Sequence, residues 1–258
     1  MSRVLVIGAT RGLGASLIKQ YASKPGTSSY GTARSGQPPD GFPSGIKWLT
    51  GIDLMKDDVG DKLVGQLDSG ADAVLSAVVC YFHFTPLRCT GARRDGCDIE
   101  LCHCLITPGM LLTEVVSKVI SAGHFTTEDL SDKGPNWSEE VRMYTTSSIA
   151  PVFLVHRLVK AGLLAEGSKV VLISSEAGSI ALRHEKEGGG NYAHHASKAA
   201  LNMVGRLLSL DLKERGVVVS IIHPGFMRTE MTAGVGFDKY WDAGGGRFKT
   251  PMSVCSWL

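Results

Sequence analysis

A glycine-rich turn follows the first apolar run of the chain and has the residue types of a phosphate-binding loop. Residues 8–14 read Gly-Ala-Thr-Arg-Gly-Leu-Gly, directly after the apolar run at residues 3–7. Glycines allow a tight passage from strand to helix, and they let backbone N–H groups approach a pyrophosphate at the positive end of the helix dipole. This context favours a dinucleotide site over an ordinary glycine-rich loop. The predicted residues are Gly8, Thr10, Arg11, Gly12, Leu13 and Gly14.

The charges beyond this turn indicate which dinucleotide would bind. A site for NAD places a carboxylate at the end of the second strand, where it binds the ribose 2′-hydroxyl. Here no Asp or Glu occurs between Gly14 and Asp40, whereas Arg34 lies just past the predicted second strand. The guanidinium groups of Arg11 and Arg34 can donate charge-assisted hydrogen bonds to a 2′-phosphate. We therefore predict NADPH as cofactor; the alternative is that both arginines are solvated surface residues.

The elements that must position these residues alternate between strand and helix patterns. Such alternation predicts an α/β fold: one doubly wound Rossmann domain over residues 1–258, with a mainly parallel sheet and helices on both faces. The predicted strands are 3–7, 29–33, 46–49, 73–79, 169–174 and 217–222. The predicted helices follow Gly14 up to Pro25 and then cover about 56–67, 108–121, 141–162 and 196–215.

The segment at 80–107 shows no clean period and holds five of the six cysteines, so we interpret it as an irregular insertion or an atypical segment. The spacing of Cys97, Cys102, His103 and Cys104 lacks the usual Cys-x-x-Cys pairing, so no metal site is predicted.

The bulk properties exclude several classes of function. A net charge of +2 gives no general attraction to nucleic acid or to a membrane surface. The N-terminal apolar run is too short for a secretory signal, and no apolar stretch has the length of a membrane span. We therefore expect a cytoplasmic protein with reduced thiols and a small-molecule substrate.

Three segments together resemble the short-chain dehydrogenase/reductase family. They are the turn at 8–14, Tyr-Ala-His-His-Ala-Ser-Lys at 192–198 and His-Pro-Gly-Phe-Met-Arg-Thr at 223–229. The family's turn pattern begins with Thr, where this chain has Ile7, but all three glycines are kept. The resemblance implies an NADP-dependent oxidoreductase that interconverts a carbonyl and an alcohol by hydride transfer. It also implies a homodimer or homotetramer, formed through the helices at 141–162 and 196–215.

The resemblance assigns roles to further residues. Ser175 would orient the substrate carbonyl, and Lys198 would hold the nicotinamide ribose and lower the pKa of a catalytic tyrosine. The remaining cofactor contacts would come from Asp53 and Leu54 at the adenine pocket and from Pro224, Gly225 and Thr229 at the nicotinamide. The family's Asn-Asn-Ala-Gly motif after the fourth strand would fall at residues 76–79, where it is lost. Because family members continue to a seventh strand, residues 230–258 are interpreted as a truncated substrate-loop region and the last strand is expected to be missing.

The family's catalytic tyrosine has no direct counterpart. His194 stands four residues before Lys198, whereas Tyr192 stands six residues before it. Positions four apart share a helix face, while positions six apart are turned by about 120°. His194 therefore has the tyrosine's direction, and Tyr192 could take its role only if the helix begins after it. The family's catalytic asparagine falls on Ser147.

These changes leave two functions open. An active reductase needs a proton donor for the alkoxide that hydride transfer creates, and this donor could be His194, Tyr192 or neither. Since nearby Lys198 would hold the pKa of His194 down, a neutral imidazole would be a poor acid. The alternative is an NADPH-binding sensor or scaffold with little or no catalysis. A different Rossmann enzyme, such as a methyltransferase, is disfavoured by Lys198 and by Pro224-Gly225.

Overall fold

A six-stranded parallel sheet forms the centre of the computed structural model, which describes residues 2–67, 116–120, 124–131, 134–242 and 248–249. Its strands lie in the order β3-β2-β1-β4-β5-β6. They are β1 (Ser2–Ile7), β2 (Thr27–Thr32), β3 (Ile46–Leu49), β4 (Val116–Ile120), β5 (Ser168–Ile173) and β6 (Val218–Ile222). A separate parallel pair joins β7 (Phe226–Met227) to β8 (Phe248–Lys249).

The helices connect the strands as crossovers. They are α1 (Gly12–Ala22), α2 (Val59–Gln66), α3 (Trp137–Tyr144), α4 (Ala150–Lys160), α5 (Tyr192–Asp211) and α6 (Glu230–Gly234). A π-helical turn at Thr145–Ile149 joins α3 to α4, which has Pro151 in its first turn. Short 3₁₀ turns lie at Glu176–Gly178, Glu185–Glu187, Lys213–Arg215 and Asp238–Tyr240.

The strand order reverses at β1, which pairs with β2 on one side and with β4 on the other. In open α/β sheets, ligands bind in the crevice outside the carboxyl ends of the strands at such a switch point. The turn at residues 8–14 follows β1 and therefore lies at this place. The predicted fold, a doubly wound Rossmann domain with a parallel sheet, is confirmed.

The core occupies both faces of the sheet. Along β1, Leu5 and Ile7 pack into a cluster with α2, α4 and α5, whereas Val4 and Val6 pack against α1. Successive side chains of a strand point to opposite faces, so a strand covered on both sides must be apolar throughout. This explains why residues 4–7, the buried part of β1, are all apolar.

The fourth strand of the sheet corrects the predicted helix at 108–121. Residues 116–120 read Val-Ser-Lys-Val-Ile and pair in parallel with both β1 and β5. Their β-branched residues favour a strand, and the two neighbouring strands supply hydrogen bonds along both edges. Residues 76–79, where the Asn-Asn-Ala-Gly motif was expected and is lost, lie outside the described residues. In sequence, β4 is followed by Ser121-Ala122-Gly123, which keeps the motif's Ala-Gly.

The long helices also differ in their bounds. The predicted helix at 141–162 is divided into α3, the π-helical turn and α4, and the predicted helix at 196–215 begins earlier, at Tyr192, and ends at Asp211. The predicted strand at 73–79 and the segment at 80–107 lie outside the described residues. So does most of the chain beyond residue 242, so the missing last strand and the truncated substrate-loop region stay predictions.

No helix in the described ranges is long and apolar enough to cross a membrane. The expected cytoplasmic location stays a prediction. Within the same ranges, no group of three or more His, Cys, Asp or Glu side chains could hold a metal ion. The cysteine-rich stretch lies outside the residues that this statement covers.

Candidate active site

One cavity of about 1310 Å³ opens at the carboxyl ends of the strands. It extends from the glycine turn, past the ends of β2 and β5, to α5 and α6. Most of the predicted site residues line it together: Gly8, Thr10, Arg11, Gly12, Leu13, Arg34, Asp53, Leu54, Ser175, His194, Lys198, Pro224, Gly225 and Thr229. Three of the predicted site residues do not lie in its wall, namely Gly14, Tyr192 and Ser147.

The glycine turn has backbone conformations that suit glycine. Gly8 and Gly12 have φ angles of 79° and 53°, in the region that L side chains rarely adopt. The N–H of Gly8 donates to the hydroxyl of Thr32 over 2.9 Å, which joins the turn to the end of β2. Arg11 is the N-cap residue of α1; its side chain forms no cap, and the first turn of α1 carries no acidic residue. This helix end therefore suits an anion.

Gly14 has a packing role in place of a ligand contact. A Cβ atom at this position would lie 2.0 Å from the carbonyl oxygen of Gly8 and 3.3 Å from the Cα of Ala9. The third glycine of the turn therefore allows the start of α1 to pack directly on the backbone that leaves β1.

The two candidate arginines for a 2′-phosphate lie exposed in the cavity wall. Arg11 and Arg34 form no ion pair with any carboxylate in the described ranges. Beside them, the backbone N–H of Ile52 donates to the carbonyl of Ala33 over 3.0 Å. The carboxylate of Asp53 accepts the N–H of Met55 over 3.1 Å. This wall therefore combines two guanidinium groups that have no carboxylate partner among the described residues with the carboxylate of Asp53, which a backbone N–H holds in place.

Lys198 lies at the junction of α5 and β5. Its ammonium nitrogen donates to the carbonyl oxygen of Ile173 over 2.9 Å, and the residue is only 9% exposed. Ile173 is the last residue of β5, so this bond holds the ammonium next to the Ser174-Ser175 pair. Burial lowers the pKa of Lys198 from 10.5 to about 8.

The two serines after β5 have different partners. The hydroxyl of Ser175 lines the cavity and accepts the N–H of Ala177 over 3.2 Å. Ser174 instead donates to the side-chain oxygen of Asn202 on α5 over 2.6 Å. A Cβ atom at Gly178 would lie 2.6 Å from the backbone carbon of Lys198. The turn after β5 therefore packs tightly against α5, through contacts of Ser174, Asn202 and Gly178 that the sequence analysis did not identify.

His194 occupies the position that the sequence analysis gave to the catalytic tyrosine. Its ring lies in the cavity wall and packs on Phe125, with 4.2 Å between the ring centroids. Its Nδ1 atom is buried and has no hydrogen-bond partner among the described residues. Burial first, and then the charges of Lys198 and His195, lower the pKa of His194 from 6.5 to about 4. The imidazole is therefore neutral at pH 7.

Tyr192 does not reach this position. It is the first residue of α5, it is 40% exposed, and it is absent from the cavity wall. The helix does not begin after Tyr192, as its catalytic role would have required. Ser147 is buried in the π-helical turn, and the neighbouring Thr146 lies in the wall in its place. The extra residue of a π-helical turn shifts the side chains that follow.

Glu128 binds the start of α5, which sequence reasoning missed. Its main-chain oxygen accepts the N–H of Asn191 over 2.7 Å, and its carboxylate accepts the N–H of Ala193 over 2.6 Å. The side-chain oxygen of Asn191, a residue with a φ of 52°, in turn accepts the N–H of Glu128 over 3.3 Å. A carboxylate at a helix N-terminus satisfies a free N–H and favours the helix dipole. We call these three bonds the Glu128–Asn191 clamp.

Acid is expected to destabilise the wild type more than a His194→Gln variant. The folded protein holds the pKa of His194 near 4, below its ordinary 6.5, so between these values the unfolded chain binds the extra proton. The neutral imidazole of His194 therefore contributes about 3 kcal/mol to the free energy of unfolding above pH 6.5. This contribution is lost as the pH falls to 4. Urea unfolding at pH 7 and pH 4.5 measures the difference. His156→Gln, at an exposed site on α4, is the matched control. Equal pH slopes in all three proteins would contradict the expectation.

The comparisons with known proteins agree with this geometry. A family model described as enoyl-(acyl carrier protein) reductase matches residues 115–248, which is more than half of the chain. The chain belongs to the short-chain dehydrogenase/reductase family. This match begins next to β4 and includes the cavity residues of β5, α5 and α6.

Two curated relatives match shorter parts of this short-chain dehydrogenase/reductase. The 1-hydroxy-2-glutathionyl-2-methyl-3-butene dehydrogenase of Rhodococcus sp. (strain AD45) is 30% identical over 158 residues, which cover 54% of this chain and 66% of that protein. The C-signal protein of Myxococcus xanthus is 33% identical over 98 residues, which cover 37% of this chain and 56% of that protein. The matched part thus spans less than two thirds of either relative.

Solved structures are similar over nearly the whole chain. Carbonyl reductase Sniffer of Drosophila melanogaster has a TM-score of 0.66 at 20% identity, with 99% of this chain and 88% of that chain covered. The NADPH-bound carbonyl reductase from chicken fatty liver has a TM-score of 0.64 at 18% identity, with the same coverage of the two chains. At these identities the likeness establishes the fold.

Proposed function

We propose that this protein is an NADPH-dependent oxidoreductase that interconverts a carbonyl and an alcohol on a small or medium-sized substrate. One observation carries the proposal: the glycine turn, two arginines that form no ion pair with any described residue, and the buried Lys198 line the same cavity. Its membership of the short-chain dehydrogenase/reductase family supports the reaction class.

The donor groups in the cavity suit NADPH. The uncapped start of α1 would hold the pyrophosphate, and Arg11 and Arg34 would bind a 2′-phosphate. Asp53 and Leu54 would border the adenosine, and Lys198 would reach the nicotinamide ribose. Across the cavity, a Cβ atom at Gly12 would lie 3.6 Å from the side chain of Thr229, so these two residues bring the opposite walls close together.

The chain's own groups would prepare the carbonyl for reduction. NADPH, when bound, supplies the hydride. The hydroxyl of Ser175 accepts an N–H from Ala177, which leaves its own hydrogen free to donate to the substrate oxygen. The ammonium of Lys198 adds positive charge where negative charge develops on that oxygen. The rings of Phe125 and His194 pack on each other in the cavity wall, where they would limit the access of water.

Calorimetry and a substrate panel test the proposal directly. Purified protein is titrated with NADPH and with NADH, and the oxidation of NADPH is then followed by absorbance with a panel of aldehydes and ketones. We expect tight binding of NADPH and turnover of at least one carbonyl. No affinity for either dinucleotide would refute the oxidoreductase assignment.

Arg34→Ala is expected to weaken NADPH binding by about 10- to 100-fold and to leave NADH binding nearly unchanged. A hydrogen bond between charged groups contributes about 1.5–3 kcal/mol, and NADH lacks the 2′-phosphate that the guanidinium would bind. Calorimetry with both dinucleotides measures the two affinities. Arg206→Ala, at an exposed site on α5, should change neither. Equal weakening of both cofactors would show that Arg34 does not select the phosphate.

A second candidate function is NADPH binding with little or no catalysis, as in a sensor or scaffold. The neutral His194 and the absence of Tyr192 from the cavity wall favour it. Tight NADPH binding without turnover of any carbonyl in the panel would support this alternative.

We also propose self-association as a homodimer or homotetramer. Apolar side chains are exposed on the outer faces of α4 and α5: Val152, Phe153, Met203, Leu207 and Leu210. Several exposed apolar side chains on neighbouring helix turns are typical of interaction sites. Light scattering coupled to size-exclusion chromatography measures the assembly, and a monomer at all concentrations would refute it.

A further inference from the structure

The proposed reduction needs a proton donor, and the cavity wall offers few. Its described residues include no tyrosine and no cysteine. Because its pKa is about 4, His194 is a neutral imidazole at pH 7 and therefore a very weak acid. Asp53 lies at the adenine end and accepts a backbone N–H.

The other histidines near the catalytic serine already have partners. Nδ1 of His195 lies 2.8 Å from the carbonyl of Asn191, and its Nε2 lies 3.1 Å from the guanidinium of Arg183. Arginine is always a donor, so His195 is fixed with its hydrogen on Nδ1, bound to the carbonyl. Nε2 of His223 lies 3.6 Å from the carboxylate of Glu176, and its Nδ1 has no partner among the described residues but is buried. Neither histidine therefore presents an accessible free N–H to a substrate.

Lys198 does have donors to spare. One N–H of its ammonium is used by the carbonyl of Ile173, and no other hydrogen bond or ion pair engages it within the described ranges. The group lies in the cavity wall, on the helix face of His194 and next to the backbone that leads to Ser175. With histidine in place of the family's tyrosine, α5 contributes no hydroxyl group to the cavity wall.

We propose that Lys198 itself donates the proton to the substrate oxygen in this chain. This role rests on the proposed reductase function. A bound reduced nicotinamide dinucleotide would supply the hydride: its own C–H bond would break, leaving the oxidised dinucleotide, as the new C–H bond forms on the carbonyl carbon. The π electron pair of the carbonyl would then move onto oxygen. That oxygen takes a proton from the Lys198 ammonium, so an N–H bond breaks and an O–H bond forms. The neutral amine stays bound near Ile173 and regains its proton from water.

The electrostatic surroundings suit this transfer. Burial lowers the pKa of Lys198 to about 8, so the ammonium predominates at neutral pH and yet releases its proton readily. Its titratable neighbour on the same helix, His194, is neutral at this pH. No carboxylate in the described ranges forms an ion pair with Lys198, which would otherwise hold its proton more tightly.

Chemical rescue separates proton donation from a structural role. Lys198→Ala is expected to lower kcat by about 10²- to 10⁴-fold. Added methylamine or ethylamine should restore part of the turnover, with a rate that depends on the pKa of the amine. Lys198→Arg keeps the positive charge but cannot release a proton, so it should still bind NADPH in calorimetry and remain inactive. An active Lys198→Arg variant, or a lack of rescue, would overturn the proposal.

The pH dependence of kcat gives a second test, and chemical labelling of Lys198 adds a readout other than turnover. In the reducing direction, kcat of the wild type should fall as the pH rises through about 8, because the acid form is lost. The same fall should persist in His194→Gln. In the cofactor-free protein, acetic anhydride labelling followed by mass spectrometry should titrate Lys198 near the same pH and exposed lysines well above it. A Lys198 that labels like an exposed lysine would contradict the proposal, whereas a wild type that binds NADPH without turnover would refute the reductase function as well.

Discussion

His194→Tyr is expected to raise the kcat of carbonyl reduction by about 10-fold or more, because a phenol at this position would take over proton donation from Lys198 and add a hydrogen bond to the substrate oxygen. The side chain at 194 lies in the cavity wall, four residues before Lys198 on the same helix face. A phenol there would stand beside the buried ammonium, which lowers the pKa of a tyrosine by favouring its anion. The present imidazole, with a pKa near 4, supplies no such acid.

Steady-state kinetics with NADPH and the best carbonyl of the panel measure this gain. His195→Tyr is the matched control, because it adds the same phenol one position further along α5, and it should bring no gain. Tyr192→Phe should leave the native rate nearly unchanged, since Tyr192 is absent from the cavity wall. If Tyr192→Phe abolished the native activity, Tyr192 would be the proton donor and the assignment of position 194 would be wrong.

Gly14→Ala is expected to destabilise the protein by about 3 kcal/mol or more and to abolish NADPH binding. The added Cβ atom would lie 2.0 Å from the carbonyl oxygen of Gly8. Both groups belong to the backbone, so no flexible side chain can move aside. Relief of this clash would require α1 to shift away from the end of β1, and the turn between them holds the predicted phosphate contacts.

Gly65→Ala is the matched control for this substitution. Gly65 also lies in a helix, α2, but a Cβ atom there would meet nothing within 4 Å. Alanine at such a site should raise stability by about 0.4–1 kcal/mol. Urea unfolding followed by circular dichroism measures both variants. A Gly14→Ala variant as stable as the wild type would show that the close approach at this turn is not required.

The sequence predicted the fold well because its strongest patterns are local. The run at 4–7 is apolar throughout since both faces of β1 are buried, and the glycine turn is recognisable from three residues. The fourth strand was missed for the opposite reason. Residues 116–120 have no distinctive pattern, and what makes them a strand is pairing with β1 and β5, which lie far away along the chain.

The candidate site was predictable where helix periodicity determines direction. The spacing of four residues identified His194 as the side chain that shares a face with Lys198. Ser147 lies outside the cavity wall in a π-helical turn, which changes the register and has no clear sequence signal. Phe125 and Glu128 were missed because they lie in a segment without periodicity and meet α5 only through tertiary contacts.

The Glu128–Asn191 clamp has a consequence for motion in the site. Its three hydrogen bonds connect the segment at residues 124–131, which contains Phe125, to the first turn of α5. Neither segment can therefore move away from the cavity without breaking bonds to the other. Opening fluctuations of the two should therefore be concerted, with hydrogen exchange at Asn191 and Ala193 slower than in the preceding loop. A ligand that steadies one of these segments would also steady the other, because the same fluctuation exposes both.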